Sequence, residues 1–239
     1  MLYRQAFAGI ILTLGAGALS AGAARFSQAR AEATPPVVVM GFFVTSIGSG
    51  HGGDFGGIAG ADRHCQALAN AAGGGQRQWR AYLSTDGSDG RPAENARDRI
   101  GLGPWANARG QLIARNLEEL HETARTLSQI SLSERKDRNN IAAAYALDEH
   151  GNPLSPARRH AVLTGSRADG TAFAVGRGQT CRNWTSHAAS DAVRLGHPDR
   201  TGGGQDPESW NSAETGSGCG ETDLAAGGSD ALLYCFARR

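Results

Sequence analysis

Four cysteines, Cys65, Cys181, Cys219 and Cys235, constrain the fold of this chain more than any other feature of its sequence. An even number of cysteines is typical of a disulfide framework when a chain is exported, so two disulfides are expected. None of the spacings is Cys-x-x-Cys, which argues against a zinc ribbon and a thioredoxin-type redox site. Spacing alone leaves all three pairings of the four cysteines open.

The N-terminal segment has the composition of a targeting sequence. One arginine precedes an apolar run over residues 6–19, and two small-residue cleavage sequences follow it. This order predicts a signal peptide over residues 1–33, and therefore a secreted, periplasmic or cell-envelope protein. The alternative is an uncleaved N-terminal membrane anchor, although the run is weakly hydrophobic for a membrane span. Residues 34–239 are expected to form a single domain.

The composition is that of a globular chain with many turns. Apolar residues make up 40% of the sequence, which is enough to form a core, while 34 glycines favour loops over long regular elements. The formal net charge is +1, and acidic and basic residues are interspersed. No basic stripe is present, so no nucleic-acid partner is expected.

The apolar patterning predicts short strands and few helices. Helices are expected at residues 61–72, 93–100 and 116–130. A long polar loop is expected over residues 186–209, because this stretch has little apolar content. Strands are expected at residues 37–45, 79–84, 112–114, 142–147, 160–165, 181–185, 209–211 and 231–237.

Eight short sequence blocks follow one another in an order that is more specific than any one of them. They lie at residues 61–67, 79–84, 96–99, 113–117, 161–170, 180–186, 217–219 and 232–235. Their order, together with the four cysteines, resembles the endostatin domain of the basement-membrane collagens. It resembles even more closely the bacterial exported proteins loosely called lectins. The similarity spans roughly residues 37–237.

This resemblance implies an α+β, C-type-lectin-like (endostatin-like) fold. Such a domain has mixed, mainly antiparallel strands, flanking helices, a long loop and two disulfides. The resemblance also implies the nested pairing Cys65–Cys235 and Cys181–Cys219. The inner bridge would then restrain both ends of the long polar loop, which is the segment best suited to bind a ligand.

Five residues in and around this loop are the candidate ligand-binding residues. An exposed Trp184 or Trp210 would stack on a sugar ring, with Asn183, Asp199 and Asn211 as neighbours that form hydrogen bonds. The competing interpretation, which we favour, makes both tryptophans core residues that hold the base of the loop.

The sequence does not match the calcium site of lectins with this fold. Those lectins hold the ion with hard oxygen ligands from a Glu-Pro-Asn or Gln-Pro-Asp triplet and from a Trp-Asn-Asp sequence. Here Ser212 follows Trp210 and Asn211, and the nearest triplets, residues 197–199 and 205–207, differ from the pattern. No metal site and no cofactor are therefore assigned, and a calcium ion in the loop is the alternative.

No catalytic motif is present, and we predict a binding protein instead of an enzyme. The sequence lacks a Gly-x-Ser-x-Gly elbow and the Walker and dinucleotide-binding glycine patterns. The predicted function is an exported lectin-like module that recognises a glycan or an extracellular or envelope polymer through residues 186–216. The alternatives are a structural or protein-interaction domain of the envelope without a sugar site, and an enzyme of unknown reaction.

Two further partners depend on single features. Arg97 and Arg99 lie where endostatin has arginines linked to heparin binding, which suggests a heparin-like polyanion, against a solvated, salt-bridged turn as the simpler interpretation. A membrane is a partner only if the N-terminal segment is retained.

Overall fold

A six-stranded sheet, antiparallel except for one pair of strands, forms the centre of this protein in a computed structural model. The structure describes residues 39–88, 90–121, 141–154, 160–199 and 209–238. Its strands are β1 (Phe42–Val44), β2 (Gln78–Ala81), β3 (Trp105–Ala106), β4 (Leu112–Ala114), β5 (Val162–Leu163), β6 (Ala192–Gly196), β7 (Glu214–Ser217) and β8 (Leu232–Arg238).

Strand β8 is the central strand, because three other strands pair with it. Strands β1 and β2 pair with β8 in antiparallel orientation, and β5 pairs with it in parallel. Strand β6 follows antiparallel to β5, and β7 antiparallel to β6. Strands β3 and β4 form a separate antiparallel pair. The prediction of an α+β fold with mainly antiparallel strands is therefore confirmed.

Both faces of β8 are buried, and each supplies one hydrophobic core. Successive side chains of a strand point to opposite faces, so its apolar run divides into two alternating sets. Leu233, Cys235 and Ala237 belong to the first core cluster. Leu232, Tyr234 and Phe236 belong to the second, which is rich in aromatic rings. A strand that is covered on both sides shows no apolar–polar alternation, which explains its continuous apolar sequence.

Helix α1 (Ile58–Ala71) packs on the first face of the sheet. Its Cys65 and Ala69 are buried in the first core cluster, and it begins three residues before the predicted start. The other helices are short: α2 (Ala96–Arg99), α3 (Leu117–Leu120) and α4 (Glu221–Ala226). Helix α3 lies within the helix expected at 116–130 but ends at Leu120, and residues 122–130 lie outside the described ranges.

Two disulfides join distant parts of the chain. Cys65 of α1 is bonded to Cys235 of β8, and Cys181 is bonded to Cys219, with Cα–Cα distances of 5.6 and 5.8 Å. The pairing implied by the resemblance is thus confirmed. The bridges span 170 and 38 residues. Loop-closure entropy gives upper figures of about 5 kcal/mol for the outer bridge and about 4 kcal/mol for the inner one.

The prediction of a strand at residues 181–185 is wrong, because the chain forms a left-handed turn there. Residues Cys181 to Trp184 all have positive φ, between 46° and 69°. The Thr180 hydroxyl accepts a hydrogen bond from the Asn183 amide, and the Thr180 carbonyl accepts one from the Trp184 amide. The inner disulfide and the burial of Trp184 fix this turn, and these tertiary contacts override the local preference for an extended chain.

The prediction of a polar loop at residues 186–209 is also wrong in part, because strand β6 lies within these residues. Val193 and Leu195 point into the first core cluster and give this strand its buried face. The strand expected at 209–211 is a bend, and β7 begins three residues after it. The strand expected at 142–147 is reduced to isolated bridges at its end.

No helix within the described ranges is long and apolar enough to cross a membrane. The predicted signal segment, residues 1–33, lies outside those ranges.

Candidate functional site

A polar groove of about 580 Å³ lies beside strands β6 and β7. One side is formed by the segment between β5 and the left-handed turn, and the other by β6 and by residues in and just before β7. The side chains that give the groove its chemistry are Arg167, Asp169, Phe173, Arg177, Arg194 and Thr215.

Arg194 is a buried arginine in this groove, and hydrogen bonds fix its position. It lies on β6 between two core residues, with only 7% of its surface exposed. Its Nε donates to Ser212 Oγ at 2.9 Å, and its terminal nitrogens donate to the Ser212 carbonyl at 2.8 Å and to Thr215 Oγ1 at 3.3 Å. Its guanidinium carbon lies 5.9 Å from the centre of the Phe173 ring, within cation–π range. Phe173 and Arg194 are thereby held side by side.

A tight turn places Arg167 at the groove. The Arg167 amide donates to the Thr171 carbonyl at 2.9 Å, and the Gly170 amide donates to the Arg167 carbonyl at 2.9 Å. Gly170 has a φ of +79°, and a Cβ there would lie 2.5 Å from His121 Nε2, so a side chain cannot fit. The buried Asn211 also supports this turn, since its Nδ2 donates to the carbonyls of Arg167 and Ala168, each at 3.2 Å.

Asp169 is the acidic side chain of the same turn. Burial raises the pKa of its carboxyl, but hydrogen bonds from the Thr171 side chain and backbone, with the charges of Arg167 and Arg97, lower the pKa below its ordinary value. The Asp169 side chain is therefore ionised at neutral pH. Its Oδ1 accepts both Thr171 hydrogen bonds, at 3.0 and 2.6 Å.

The groove has a positive electrostatic character. Three arginines and one aspartate line it, so these side chains carry a formal charge of +2. Arg167 and Arg177 are exposed. Within the described part of the chain, no carboxylate lies within 4.0 Å of either guanidinium. Such a groove attracts anions, because the arginine charges are only partly neutralised.

The two tryptophans predicted to contact a ligand lie in the core. Trp184 is fully buried in the first core cluster, and Trp210 is 3% exposed in the second. Their indole nitrogens donate to the Ser84 carbonyl at 2.9 Å and to the Leu120 carbonyl at 3.2 Å. Both rings are covered by other residues, so the stacking interpretation is corrected in favour of the core one.

The two asparagines bond to the protein itself. Asn183 Oδ1 accepts from the Asp86 amide at 2.9 Å, and its Nδ2 donates to Ser88 Oγ at 2.7 Å. Asn211 is 1% exposed, and its Nδ2 also donates to the Tyr82 hydroxyl at 2.8 Å. Asn183 therefore braces the left-handed turn, and Asn211 supports the groove without lining it.

Asp199 is exposed and lies next to His197, with 3.9 Å between its Oδ1 and His197 Nδ1. The five predicted residues do not converge on one site, since Trp184 and Trp210 lie on opposite faces of the sheet. Trp210 and Asn211 both contact Tyr82, whereas Asn183 and Trp184 both bond to Thr180 in the left-handed turn.

A buried hydrogen-bond chain continues from Asn211 into the second core. The Tyr82 hydroxyl accepts from Asn211 and lies 2.7 Å from His121 Nε2, while His121 Nδ1 lies 2.8 Å from the Leu117 carbonyl. His121 Nδ1 therefore carries the proton and donates to Leu117, and Nε2 accepts from Tyr82. Burial lowers the pKa of His121 to about 4 and raises the pKa of Tyr82 far above its ordinary value. Both side chains are neutral at pH 7.

The residues near the expected calcium position do not fit that ion. Where the lectin pattern has an acid, Ser212 accepts a hydrogen bond from Arg194, so a cationic guanidinium occupies the neighbourhood. A divalent cation would be repelled there. Within the described residues, no group of three or more His, Cys, Asp or Glu side chains has an arrangement that could hold a metal ion.

The arginines compared with a heparin site are engaged inside the protein. Arg99 donates to both carboxylate oxygens of Asp62, at 2.7 and 2.8 Å, and to Glu94 at 2.7 Å. Arg97 donates to the Asp169 carbonyl at 2.9 Å. These contacts favour the salt-bridged turn at this position.

The arginines and the phenylalanine of the groove were not predicted from the sequence. The Val-Arg-Leu alternation at 193–195 is a signal for a strand with Arg194 on its polar side, but the polar surroundings obscured it. Phe173 and Arg177 have no such signal, because loop geometry alone brings them to the groove.

No protein-family model matches this chain, and no curated protein matches its sequence.

Proposed function

We propose that this protein is an exported, non-catalytic binding module with a C-type-lectin-like (endostatin-like) fold, and that it holds a carbohydrate polymer in the polar groove. The groove carries this proposal. It combines a half-buried aromatic ring, Phe173, with guanidinium, amide and hydroxyl groups from Arg177, Gln179 and Thr215. A ring face beside several hydrogen-bonding groups suits a sugar, which has an apolar face and a rim of hydroxyls.

The fold assignment draws its support from the sequence blocks together with the disulfides. The order of the blocks is similar to that of the endostatin domain, and the two bridges join the pairs that this similarity implies. Two disulfides also suit an oxidising compartment, which agrees with the predicted signal peptide.

Binding without catalysis is favoured by the chemistry of the groove. All four cysteines are bridged, so no thiol nucleophile remains. Tyr82, His121 and Tyr234 have strongly raised or lowered pKa values, and each belongs to the second core cluster or packs against it. Asp169 has a lowered pKa, which makes it a poor general acid or base near pH 7.

Affinity electrophoresis of the disulfide-bonded protein through gels containing different polysaccharides tests this proposal. At least one polymer should retard the protein, and Phe173→Ala should weaken that retardation about tenfold, since ring stacking contributes about 1–3 kcal/mol in comparable contacts. Calcium and EDTA should give equal retardation, because the groove holds a guanidinium near Ser212.

Val175→Ala is the matched control. Val175 is 70% exposed in the same segment but is not among the residues that line the groove, so its retardation should equal that of the unchanged protein. Failure of every polymer to retard the protein, in calcium and in EDTA, would remove the proposed function.

A further inference from the structure

We infer that the groove selects sugars that carry a carboxylate, and that Arg167 and Arg177 are the residues that bind this group. This inference rests on the proposed function and names the ligand class for the same site. It depends on the sign of the charge in the groove, which the proposed function does not require.

The side chains of the groove carry a net positive charge. The lining side chains have three guanidinium groups and one carboxylate, and the Arg97 side chain lies behind Asp169, whose carbonyl accepts its hydrogen bond. The Asp169 carboxylate accepts from Thr171 through Oδ1, and its negative charge offsets only part of the charge of the arginines around it. An anionic ligand would therefore meet an excess of positive charge.

The three arginines of the groove differ in burial and in their hydrogen-bond partners. Arg194 is buried and is held by Ser212 and Thr215, so it supplies a fixed positive charge beside the Phe173 ring. Arg167 and Arg177 are exposed, and no carboxylate of the described residues lies within salt-bridge distance of them. These two guanidinium groups are therefore the ones that can pair with the carboxylate of an incoming ligand.

A guanidinium is planar and matches the two oxygens of a carboxylate in a bidentate pair. Phe173 lies on the same segment as both exposed arginines, and Arg194 fixes the position of its ring. A sugar ring on Phe173 would place a carboxylate substituent at the guanidinium groups, and the neutral hydroxyls at Gln179 and Thr215.

Matched polymers test this inference directly. We would measure dissociation constants for polygalacturonate, for the same polymer after complete methyl esterification, and for neutral dextran. The uronate should bind at least tenfold more tightly than its ester, because esterification removes the charge and keeps the sugar backbone. Raising the salt concentration should weaken binding of the uronate and leave binding of the ester unchanged. A sulfated dextran arm distinguishes a carboxylate from another anion, and tighter binding of the sulfated polymer would overturn the assignment to carboxylate.

Arginine variants locate the site. Arg167→Gln and Arg177→Gln should each weaken uronate binding about tenfold, the range expected for one charge-assisted contact at an exposed site. Arg115→Gln is the matched control: Arg115 is 71% exposed and pairs with Glu119, so the variant removes the same charge outside the groove. It should bind uronate as tightly as the unchanged protein does.

The outcomes separate the two proposals. Equal binding of the uronate and its ester, or equal losses in Arg115→Gln and Arg177→Gln, would overturn this inference while leaving a sugar-binding groove in place. Absence of binding to every polymer would overturn the proposed function as well.

Discussion

Buried polar side chains determine much of the local structure of this protein. Asn211, Tyr82 and His121 form one chain of hydrogen bonds in the second core, and Asn211 also holds the carbonyl of Arg167. Each of these side chains forms its hydrogen bonds in one tautomer or rotamer, so the hydrogen-bond chain fixes the position of the groove relative to the second core. The groove thus depends on residues that no ligand would touch.

The neutral state of His121 makes the fold sensitive to acid. Because its pKa is about 4 when folded and 6.5 when unfolded, the unfolded chain binds more protons between these values. The contribution of neutral His121 to the free energy of unfolding is complete above pH 6.5, and it is lost as the pH falls through 4. Between pH 7 and 4.5, the free energy of unfolding should fall by about 2 kcal/mol from this residue. Urea unfolding at both pH values measures it.

His121→Gln is the comparison for this experiment, since glutamine does not titrate. Its unfolding free energy at pH 7 should be lower than that of the unchanged protein, but its decrease on acidification should be smaller by about 2 kcal/mol. Identical decreases in both proteins would show that His121 is not the group responsible.

Elements that depend on periodicity were predictable from the sequence, and those that depend on tertiary contacts were not. Helix α1 and strand β8 have long, regular apolar patterns, and both are found close to the predicted positions. Strand β6 has only two core residues within polar surroundings, so its pattern was too short to recognise. The left-handed turn is fixed by a disulfide and by a buried indole, which local propensity does not contain.

Strain in the left-handed turn gives an element-scale prediction. Arg182 has φ 51° and ψ 54°, a conformation that costs an L-residue about 1–2 kcal/mol and glycine almost nothing. Its guanidinium pairs with Asp191 at 3.0 Å, and both Arg182→Gly and Arg182→Ala remove that pair. The glycine variant should be the more stable of the two by about 0.5–1 kcal/mol, measured by urea unfolding.

An exposed position of α1 provides the opposite case. At Ala67, which has right-handed helical geometry, Ala67→Gly should lower the unfolding free energy by about 1 kcal/mol. If alanine were also preferred over glycine at position 182, the left-handed turn would not exist in solution.

At the scale of the whole molecule, the resemblance implied both the α+β class and the disulfide pairing, but it did not locate the groove. The groove forms where the segment after β5 meets β6 and β7, and these parts are distant in the chain. Tryptophan and asparagine are residue types that bind sugars, but here the tryptophans pack in the core and the asparagines form hydrogen bonds within the protein. Residue type alone does not distinguish these uses, because burial depends on the complete fold.

The two disulfides should differ in their effect on stability. Replacing both Cys65 and Cys235 by alanine should lower the unfolding free energy by up to about 5 kcal/mol, against about 4 kcal/mol for Cys181 and Cys219, because the outer bridge closes the longer loop. Both pairs are fully buried, so the loss of packing is comparable in the two variants. Urea unfolding with non-reducing peptide mapping checks the ranking, and a larger loss for the inner pair would contradict it.

The central position of β8 also determines the order in which the molecule can be assembled during its synthesis. A ribosome makes β1, β2 and β5 long before the strand that pairs with all three, so the nascent chain has no complete sheet until residue 232 has emerged. At the end of this interval, after residue 219 has been made, Cys181 and Cys219 are both present while Cys65 still lacks its native partner. A bridge formed early by Cys65 is therefore a non-native one, and the outer disulfide then has to arise by thiol–disulfide exchange after translation has passed Cys235.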